Sequence, residues 1–581
     1  MIEKRWIHPP EFTLEQQDLA AQLARDINVN PHLAKLLVQR GITGYESAKN
    51  FFRSDLSKLH DPFLMKDMDV AVERLKTAIH AGEKILVYGD YDVDGTTSVT
   101  MFYGFLSKLY RNLDYYIPDR YLEGYGVSWQ SIDWARDNGY TLIVTLDCGI
   151  KSIDKVTEAK KRGIDFIICD HHRPGSEIPP AIAVLDPKRE DCLYPYKELT
   201  GCGVGFKLLH AYCIDQKIDP AILFEYLDLL VVSIAADIVP ITGENRILAF
   251  YGLRQLNTAP RTGIKALIKI AGISGELDIT NVVFGLGPRI NAAGRIKHAK
   301  EAVRLLLSED ETEADDFAME INKHNTDRRT FDTSITEEAL AMIQNDSWFD
   351  SATSTVLFKE DWHKGVIGIV ASRCIERYHR PTIILTQSHG KAAGSARSVP
   401  GFDVYEAIEE CADLLEQFGG HTFAAGLTLP LDNIEAFRQR FDDIVRNKIL
   451  PEQLIPRVSI DLDLDLASIT PKFYQILKQM GPFGPGNMPP VFVSNNVTLA
   501  GKPVLMKEKH IKFEVKQKNA GPFTVIGFGM SHFYPDLLSG IPFSICYHLE
   551  ENTFRDKKTL QLSLKDIKFN AENGIHELAN Q

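Results

Sequence analysis

Four short apolar runs between residues 84 and 186 constrain the fold of this chain more than any other feature. Amphipathic stretches of helical periodicity separate the runs, which indicates strand-helix-strand units and hence a parallel sheet. Each run ends in an aspartate. Because ligands bind beyond the carboxyl ends of strands in open parallel sheets, we expect these side chains to project into one crevice. The predicted strands are Lys84–Asp90, Thr141–Asp147, Asp165–Asp170 and Ala181–Asp186.

Length and composition limit the class of protein. A chain of 581 residues is too long for one hydrophobic core, so several domains are expected. No apolar run is long enough to cross a bilayer, and the N-terminal residues lack a signal-peptide core, so we expect a cytoplasmic protein with no membrane contact. The eight cysteines show no CxxC spacing and are expected to be reduced, buried thiols. The net charge of −13 argues against a non-specific nucleic-acid coat but permits a nuclease with a local basic groove.

The sequence pattern divides the chain into five segments. Residues 1–60 are expected to be helical and peripheral, and residues 61–299 contain the predicted parallel sheet. Residues 300–348 carry dense alternating charge with helical spacing, which predicts a long connecting helix. A second α/β region follows at 349–452, and residues 453–581 alternate short strands with turns, which is typical of a small antiparallel barrel.

Three carboxylates at alternate positions form the strongest local signal, where the first predicted strand runs into a helix. Asp90, Asp92 and Asp94 would repel one another unless a cation neutralised them, so a metal site is the economical explanation. A calcium loop of the EF-hand type requires a glutamate at its twelfth position, which is Met101 here. An exposed acidic turn is the remaining alternative for these three residues alone.

Further candidate ligands are interpreted as the ends of other strands: Asp147, Asp170, His171, His172 and Asp237. Singly each is weak, because aspartates often cap helices and histidines are often satisfied without a metal. Together with the first motif they suit two cations, about 3.5 to 4 Å apart, that share a carboxylate and split phosphate esters or anhydrides. An imidazole among carboxylates favours Mn²⁺ over Ca²⁺, allows Mg²⁺ and disfavours Zn²⁺.

These residues resemble the four motifs of the DHH phosphoesterase family. Five later segments are similar to signatures of the exonuclease branch of that family, so the resemblance covers about residues 50 to 570. The resemblance implies two α/β lobes, a DHH parallel-sheet domain and a DHH-associated domain, joined by a long helix and followed by an OB-fold-like β-barrel. It also implies a 5′→3′ exonuclease that degrades single-stranded DNA to 5′-mononucleotides by two-metal-ion hydrolysis, in recombination and repair. The segments are Gly285–Arg295, Trp362–Ala371, Gly394–Ser398, Gly419–Gly426 and Met480–Gly484.

The resemblance assigns site roles to individual positions. Asp147 is implied as the carboxylate that bridges two Mn²⁺ or Mg²⁺ ions, Asp170 as a catalytic support that orients its neighbours, and His172 as a catalytic group facing the scissile phosphate. Whether Asp90 or Asp92 binds directly stays open, because pyrophosphatase-like relatives have a histidine where this chain has Tyr88. The implied metal ligands are Asp90, Asp92, Asp94, Asp147, His171 and Asp237.

A 5′ phosphate is best held by arginines and backbone amides, and closure of two lobes over a strand would exclude a duplex. For any single arginine, an ordinary salt bridge is the alternative. The candidate substrate-binding residues are Arg120, Arg289, Asn291, Ser395, Arg397 and His421. In the barrel, a basic and aromatic surface is expected to bind single strands, unless it is merely a solvated strand face. That surface comprises Lys507, Lys509, His510, Lys512 and Phe513.

The implied partners are single-stranded DNA, a single-strand-binding protein and a helicase, with the enzyme itself a monomer. One alternative is the same chemistry on a small substrate, as in a pyrophosphatase, a cyclic-dinucleotide phosphodiesterase or a short-oligonucleotide phosphatase. Those chains are shorter and lack a barrel. A second alternative is a non-catalytic replisome scaffold, which would have lost ligands, whereas every ligand position is filled here.

Overall fold

A computed structural model of the chain describes residues 3–554 and 557–569. It contains an N-terminal helical segment, a parallel-sheet lobe, a second α/β lobe and a C-terminal barrel. Within the described ranges, no helix is both long and apolar enough to cross a membrane.

The N-terminal segment packs on the barrel, although the sequence predicts a peripheral position. It comprises β1 (Arg5–Ile7), α1 (Leu14–Asp26), α2 (Pro31–Gln39) and α3 (Tyr45–Phe52). Strand β1 pairs in parallel with a strand at Arg457–Ser459. Leu23 and Leu36 share a buried core with Phe473 and Phe492 of the barrel. The local sequence shows that these helices have apolar faces, but it does not show which distant surface covers them.

The first lobe is built on five parallel strands in the order β3-β2-β4-β5-β6. Four strands coincide with the predicted runs, whereas β3 was not predicted because its residues are only partly buried and form no continuous apolar run. The strands are β2 (Ile85–Gly89), β3 (Leu113–Tyr116), β4 (Leu142–Leu146), β5 (Asp165–Cys169) and β6 (Ala183–Leu185). Helices around the sheet are α4 (Met68–Ala81), α5 (Val93–Leu106), α6 (Trp129–Asp137), α7 (Ile153–Lys161) and α8 (Gly201–Gln216).

A helical layer completes this lobe. Asp237 follows helix α10 and not a strand, so its interpretation as a strand end is wrong. The preceding run is buried on all sides, and hydrophobicity alone does not distinguish a buried helix from a buried strand. The layer comprises α9 (Ala221–Phe224), α10 (Leu227–Ala236), α11 (Gly243–Thr258), α12 (Thr262–Ala271), α13 (Ile279–Asn281), a π-helical turn (Val282–Leu286), α14 (Gly287–Ile296) and α15 (Lys300–Leu307).

The connecting helix α16 (Glu311–Asn345) has 35 residues and joins the two lobes. Charge patterning predicts one helix from residue 300, but the structure separates α15 from α16. Asp310 makes the break, because its side chain accepts a hydrogen bond from the Glu313 amide (2.8 Å) and so caps α16. Ile321 belongs to the core of the first lobe and Ile335 to that of the second, so α16 is packed against both.

The second lobe contains a mixed sheet in the order β10-β11-β9-β8-β7, in which β7 and β8 are parallel and the other pairs are antiparallel. Its strands are β7 (Thr355–Phe358), β8 (Thr382–Ser388), β9 (Lys391–Arg397), β10 (Gln417–His421) and β11 (Ala424–Leu429). Its helices are α17 (Ile367–Tyr378), α18 (Val404–Glu409) and α19 (Ile434–Lys448).

The C-terminal strands form a partly closed ring in the order β13-β14-β18-β19-β17-β16-β15, in which β14 also pairs with β16. The predicted architecture of two α/β lobes, a joining helix and an OB-like barrel is confirmed. Phe513 is 2% exposed within the barrel core, so its prediction as a stacking surface is wrong. The elements are β12 (Arg457–Ser459), β13 (Leu462–Asp463), α20 (Pro471–Gln479), β14 (Phe492–Leu499), β15 (Val504–Met506), β16 (His510–Gln517), β17 (Ala520–Gly527), α21 (Tyr534–Leu537), β18 (Phe543–Phe554) and β19 (Lys557–Phe569).

Candidate active site

The carboxyl ends of three parallel strands bring Asp90, Asp147 and Asp170 to one crevice. Each aspartate follows directly after its strand, β2, β4 or β5. All three side chains are buried. Asp147 has a φ of 61°, a left-handed conformation that costs energy in a non-glycine residue and is often found at functional sites. The predicted convergence of strand-end carboxylates is therefore present.

His171 lies at the centre of the crevice and faces three carboxylates. Its Nε2 is 3.1 Å from Asp147 Oδ1, 3.6 Å from Asp237 Oδ2 and 3.7 Å from Asp94 Oδ2. The ligand atoms of Asp94, His171 and Asp237 are close enough to hold one ion, as are those of Asp147, His171 and His172. Three of the six predicted metal ligands thus surround a fourth, His171.

Asp94 is held by the start of helix α8. Its carboxylate accepts hydrogen bonds from the amides of Gly201 (2.7 Å) and Cys202 (3.0 Å) and from the Ser233 hydroxyl (2.7 Å). Amides at a helix N-terminus stabilise an anion. A Cβ at position 201 would lie 2.4 Å from the Asp147 Cβ, so glycine is needed there for helix and crevice to approach. The helix thereby fixes Asp94 beside Asp147.

Asp90 and Asp92 complete the acidic set in different ways. Asp92 caps α5 by accepting a hydrogen bond from the Gly95 amide (3.0 Å). Asp90 is fully buried, and neither of its carboxylate oxygens has a hydrogen-bond partner. An ionised carboxylate is rarely left so unless a cation completes its environment. The orphaned oxygens of Asp90 therefore fit a metal site.

Electrostatics point the same way. Burial, reinforced by the negative charges of Asp94 and Asp92, raises the pKa of Asp147 well above its ordinary value. The pKa of Asp237 is raised for the same reasons. Burial, together with its charged neighbour Asp92, also raises the pKa of Asp90. Crowded like charges of this kind are stabilised by bound cations, and the carboxylate and imidazole donors suit Mn²⁺ or Mg²⁺.

Asp170 differs from the other aspartates because its hydrogen bonds are satisfied. It accepts from the amides of His171 (2.7 Å), His172 (3.1 Å) and Ile150 (2.9 Å) and pairs with His172 Nδ1 (2.8 Å). Although burial opposes ionisation, these interactions lower the pKa of Asp170. This arrangement is the one expected of a residue that orients its neighbours.

His172 faces the space between the lobes. Burial lowers its pKa, but the hydrogen bond to Asp170 and the negative charges of Asp170, Asp237 and Asp92 together outweigh burial and raise the pKa to about 9. Its Nε2 lies 3.1 Å from the Tyr125 hydroxyl. His172 is therefore protonated near neutral pH in the metal-free protein and is placed to meet an anion.

A cleft of about 520 Å³ lies between the two lobes, and three of the predicted substrate-binding residues line it. Arg120 stacks on the Tyr91 ring, with its Cζ 4.0 Å from the ring centroid. On the opposite wall, Arg397 donates a hydrogen bond to the Ser395 hydroxyl (3.0 Å). The cleft therefore presents guanidinium groups from both lobes.

Arg295 also lines this cleft, although it is not among the substrate-binding residues predicted from the sequence. Burial and the nearby charges of Arg120 and Arg397 lower its pKa to about 10. It donates a hydrogen bond to the Gly365 carbonyl in the second lobe (2.7 Å), and its own carbonyl accepts one from the Tyr121 hydroxyl. The segment Gly285–Arg295 was noted in the sequence, but Arg289 was chosen from it as the substrate-binding arginine, and Arg295 was not.

The remaining candidates lie around the cleft. Arg289 is outside the cleft lining and is bound to Asn322 Oδ1 (3.0 Å) and the Gly285 carbonyl (2.6 Å). The buried Oδ1 of Asn291 has no hydrogen-bond partner. His421 ends β10, and burial, together with the charges of Arg397 and His172, lowers its pKa. Those electrostatic partners place His421 near both the cleft and the acidic crevice.

Comparisons with known protein families agree with this architecture. Three family models match the chain: the DHH family N-terminal domain at residues 84–234, the DHHA1 domain at 351–447 and the RecJ OB domain at 460–566. These matches fall on the first lobe, the second lobe and the barrel.

Curated relatives match over almost the whole chain. The single-stranded-DNA-specific exonuclease RecJ of Bacillus subtilis is 38% identical over 97% of this chain and 70% of that protein. RecJ of Salmonella typhimurium is 35% identical over 95% of this chain and 98% of that protein. The crystal structure of Thermus thermophilus RecJ in complex with Mn²⁺ superposes with a TM-score of 0.82 at 28% identity, covering 97% of this chain and 80% of that one. The chain belongs to the RecJ family of single-stranded-DNA-specific exonucleases.

Proposed function

We propose that this chain is a metal-dependent exonuclease that degrades single-stranded DNA from its 5′ end to 5′-mononucleotides, in DNA recombination and repair. One observation carries the proposal: a crevice of crowded, buried carboxylates around His171 adjoins a cleft lined by arginines from both lobes. The first set suits divalent cations and the second suits a phosphate backbone. The names of the relatives supply the single-stranded DNA specificity.

Two Mn²⁺ or Mg²⁺ ions would be held by Asp90, Asp92, Asp94, Asp147, His171 and Asp237. Bound there, such ions lower the pKa of a water and neutralise charge on a phosphodiester. Neither carboxylate oxygen of Asp90 accepts a hydrogen bond, whereas one oxygen of Asp92 accepts a hydrogen bond from the Gly95 amide. Separate Asp90→Asn and Asp92→Asn variants, compared by the number of manganese ions bound per chain, therefore distinguish direct ligation from support.

The protein side of the reaction rests on His172 and Asp170. The Asp170 carboxylate fixes the His172 ring through Nδ1 and leaves Nε2 directed toward the Tyr125 hydroxyl at the cleft. A protonated His172 at that position stabilises negative charge on the scissile phosphate and can donate a proton to the leaving oxygen. We assign His172 the catalytic role, and Asp170 the role of holding its ring and its proton.

The cleft supplies end recognition in this proposal. Arg120 and Arg397, from opposite lobes, would bind the terminal 5′ phosphate together with Ser395. We propose that His421, whose pKa the charge of Arg397 helps to lower, assists them. Arg289 and Asn291 would act further along the strand, since Arg289 lies outside the cleft lining. A cleft closed on both sides by folded lobes admits one strand and excludes a duplex without reading bases.

A nuclease assay tests the proposal. Purified protein with Mn²⁺ is incubated with 5′- or 3′-labelled single-stranded and duplex DNA, and the assay is repeated with Asp147→Ala. We expect a labelled mononucleotide as the first product from the 5′-labelled single strand, and its loss in the variant. Equal turnover of pyrophosphate, initial release of the 3′ label, or full activity of Asp147→Ala would overturn the proposal.

Several expectations stay predictions. We propose a monomeric, cytoplasmic enzyme that works with a single-strand-binding protein and a helicase, and we retain the five-segment division of the chain with boundaries at residues 60, 299, 348 and 452. Size-exclusion chromatography with light scattering tests the oligomeric state, and limited proteolysis tests the boundaries.

A further inference from the structure

A second group of metal-ligating side chains lies at the junction of helices α15 and α16. It consists of Glu301 on α15 and of Glu320 and His324 on α16. Their ligand atoms lie within 4.8 Å of one another. Among the described residues, the other two groups with this property both belong to the catalytic crevice. The junction cluster shares no residue with them.

The spacing follows from the helices. Glu320 and His324 are four residues apart on α16, so their side chains lie on one face of the helix. Glu301 approaches that face from α15, and its Oε2 is 3.4 Å from His324 Nε2. Glu320 Oε1 is 3.9 Å from the same nitrogen. Ligands of a tetrahedral ion with bonds near 2.05 Å are separated by about 3.3 Å, so small side-chain adjustments would suffice.

The buried histidine is the independent observation that points to a ligand. His324 is only 5% exposed, yet neither of its ring nitrogens has a hydrogen-bond partner. Glu301 Oε2, which faces it, is also buried without a partner. Leaving such groups unsatisfied costs free energy. An ion between them would satisfy both.

Lys297 provides the competing explanation for the two glutamates. Its ammonium is 2.6 Å from Glu320 Oε1 and 3.5 Å from Glu301 Oε1. These contacts leave Glu301 Oε2 and His324 Nε2 unsatisfied. Lys297 is half exposed and can turn into solvent at little cost. One lysine also balances only one of the two carboxylate charges.

We propose that Glu301, Glu320 and His324 bind a divalent transition-metal ion, separate from the catalytic ions. Carboxylate oxygen and imidazole nitrogen are both ligands that Zn²⁺ accepts, and water would complete a tetrahedral set with these three side chains. The donors are of the same kind as those of the crevice, and at any given nitrogen and oxygen site Zn²⁺ binds more tightly than Mn²⁺, so Zn²⁺ is the more sensitive probe of the new site. The ion would link the N-terminal part of α16 to α15. Helix α15 directly follows α14, and α14 carries Arg295.

The test removes the catalytic site first, so that only the new site is counted. A chain carrying Asp147→Asn and His171→Ala is equilibrated with micromolar Zn²⁺, freed of excess metal and analysed by mass spectrometry for zinc per chain. We expect about one zinc ion per chain and a rise in melting temperature on adding Zn²⁺. Adding His324→Gln should abolish both, and adding Glu320→Gln should weaken Zn²⁺ binding about tenfold or more.

Controls keep the result interpretable. Glu311→Gln removes an exposed glutamate from the same helix, one that pairs with Lys265, and should leave zinc binding unchanged. Melting curves recorded in a chelator establish that each variant is folded, and a variant that fails to fold is replaced by Glu301→Gln. Absence of bound zinc in the parent, or retention of one zinc in both His324→Gln and Glu320→Gln, would overturn the proposal.

Discussion

The acidic crevice and the basic cleft are neighbours with opposite electrostatics. In the crevice, burial and mutual repulsion raise the pKa values of Asp147 and Asp237. In the cleft, burial and neighbouring arginines lower the pKa of Arg295 to about 10. Each region concentrates one sign of charge at a cost to the folded protein. The contrast supports the proposal that each region is completed by a ligand, with cations in the crevice and a phosphate in the cleft.

The two regions are also held differently. The crevice is built on strand ends of one sheet and on the start of α8, so its geometry depends on one packed core. The cleft takes Arg120 from one lobe and Arg397 from the other. Relative movement of the lobes therefore alters the cleft while leaving the crevice intact. Chemistry and end recognition can consequently be separated by mutation.

The largest expected effect tests the crevice. Asp147→Asn should reduce exonuclease turnover on the order of 10³-fold or more, because it removes charge from the proposed bridging ligand. The same change should raise the free energy of unfolding of the metal-free protein by about 1 kcal/mol, because it relieves buried repulsion. Turnover on labelled single strands and denaturant titration in a chelator measure the two effects. Asp137→Asn, at an exposed helix end, is the control. Full activity of Asp147→Asn would contradict the assignment of the catalytic metal ions to the crevice.

The next effect tests the cleft. Arg397→Gln should raise KM for a 5′-phosphorylated strand about 10- to 100-fold, since charge-assisted hydrogen bonds to phosphate are lost. KM for a strand with a 5′ hydroxyl should change little. Steady-state kinetics on the two substrates measure the difference, with Arg440→Gln, a surface partner of Asp413, as the control. An equal loss on both substrates would mean that the cleft does not recognise the end.

A smaller effect concerns pH and cations together. The folded pKa of His172 is raised from its ordinary value to about 9, so between pH 7 and 9 the folded metal-free protein binds more protons than the unfolded chain. Its stability should therefore fall as the pH rises through this window, by about 1 to 2 kcal/mol. Saturating Mn²⁺ should flatten the dependence. Thermal unfolding at several pH values, recorded once with a chelator and once with Mn²⁺, measures this pH dependence of stability. The same pH dependence in both conditions would count against a cation site.

The smallest effect extends the contrast to the barrel. Phe528 is 64% exposed and packs edge-on against His510, at 5.4 Å between ring centroids, so it replaces Phe513 as the aromatic surface. Phe528→Ala should weaken single-strand binding by about 1 kcal/mol, roughly fivefold in Kd. Fluorescence anisotropy with a labelled oligonucleotide measures it. Leu193→Ala, which changes an exposed apolar residue outside the barrel, is the control. An equal loss of single-strand affinity in both variants would mean that the barrel surface at Phe528 does not bind the strand.

Strand ends were predictable from the sequence, because short apolar runs ending in aspartate define both a strand and the position of its last residue. Asp90, Asp147 and Asp170 were placed in this way. Asp237 lies in the expected crevice, but its interpretation as a strand end is wrong, because it follows helix α10. Its run is apolar on every side, so periodicity gave no means of recognising α10 as a helix.

Side-chain direction was the less predictable part. Arg289 and Arg295 lie six residues apart on α14, which is about 240° around the helix axis, so they cannot both face the cleft. Only packing against the second lobe, through the bond from Arg295 to Gly365, selects between them. In the barrel, by contrast, Phe513 alternates with charged Lys512 and Glu514 along β16, and this pattern indicates the inward direction that the structure shows.

The parallel pairing of β1 with β12 has a consequence for synthesis. Arg5 leaves the ribosome about 450 residues before its partner Arg457. At 5 to 20 residues per second this delay is roughly 20 to 90 seconds. During that time the apolar faces of α1 and α2 have no barrel to cover them, so the nascent N-terminus must wait, or be shielded by a chaperone, until translation of the last domain supplies its binding surface.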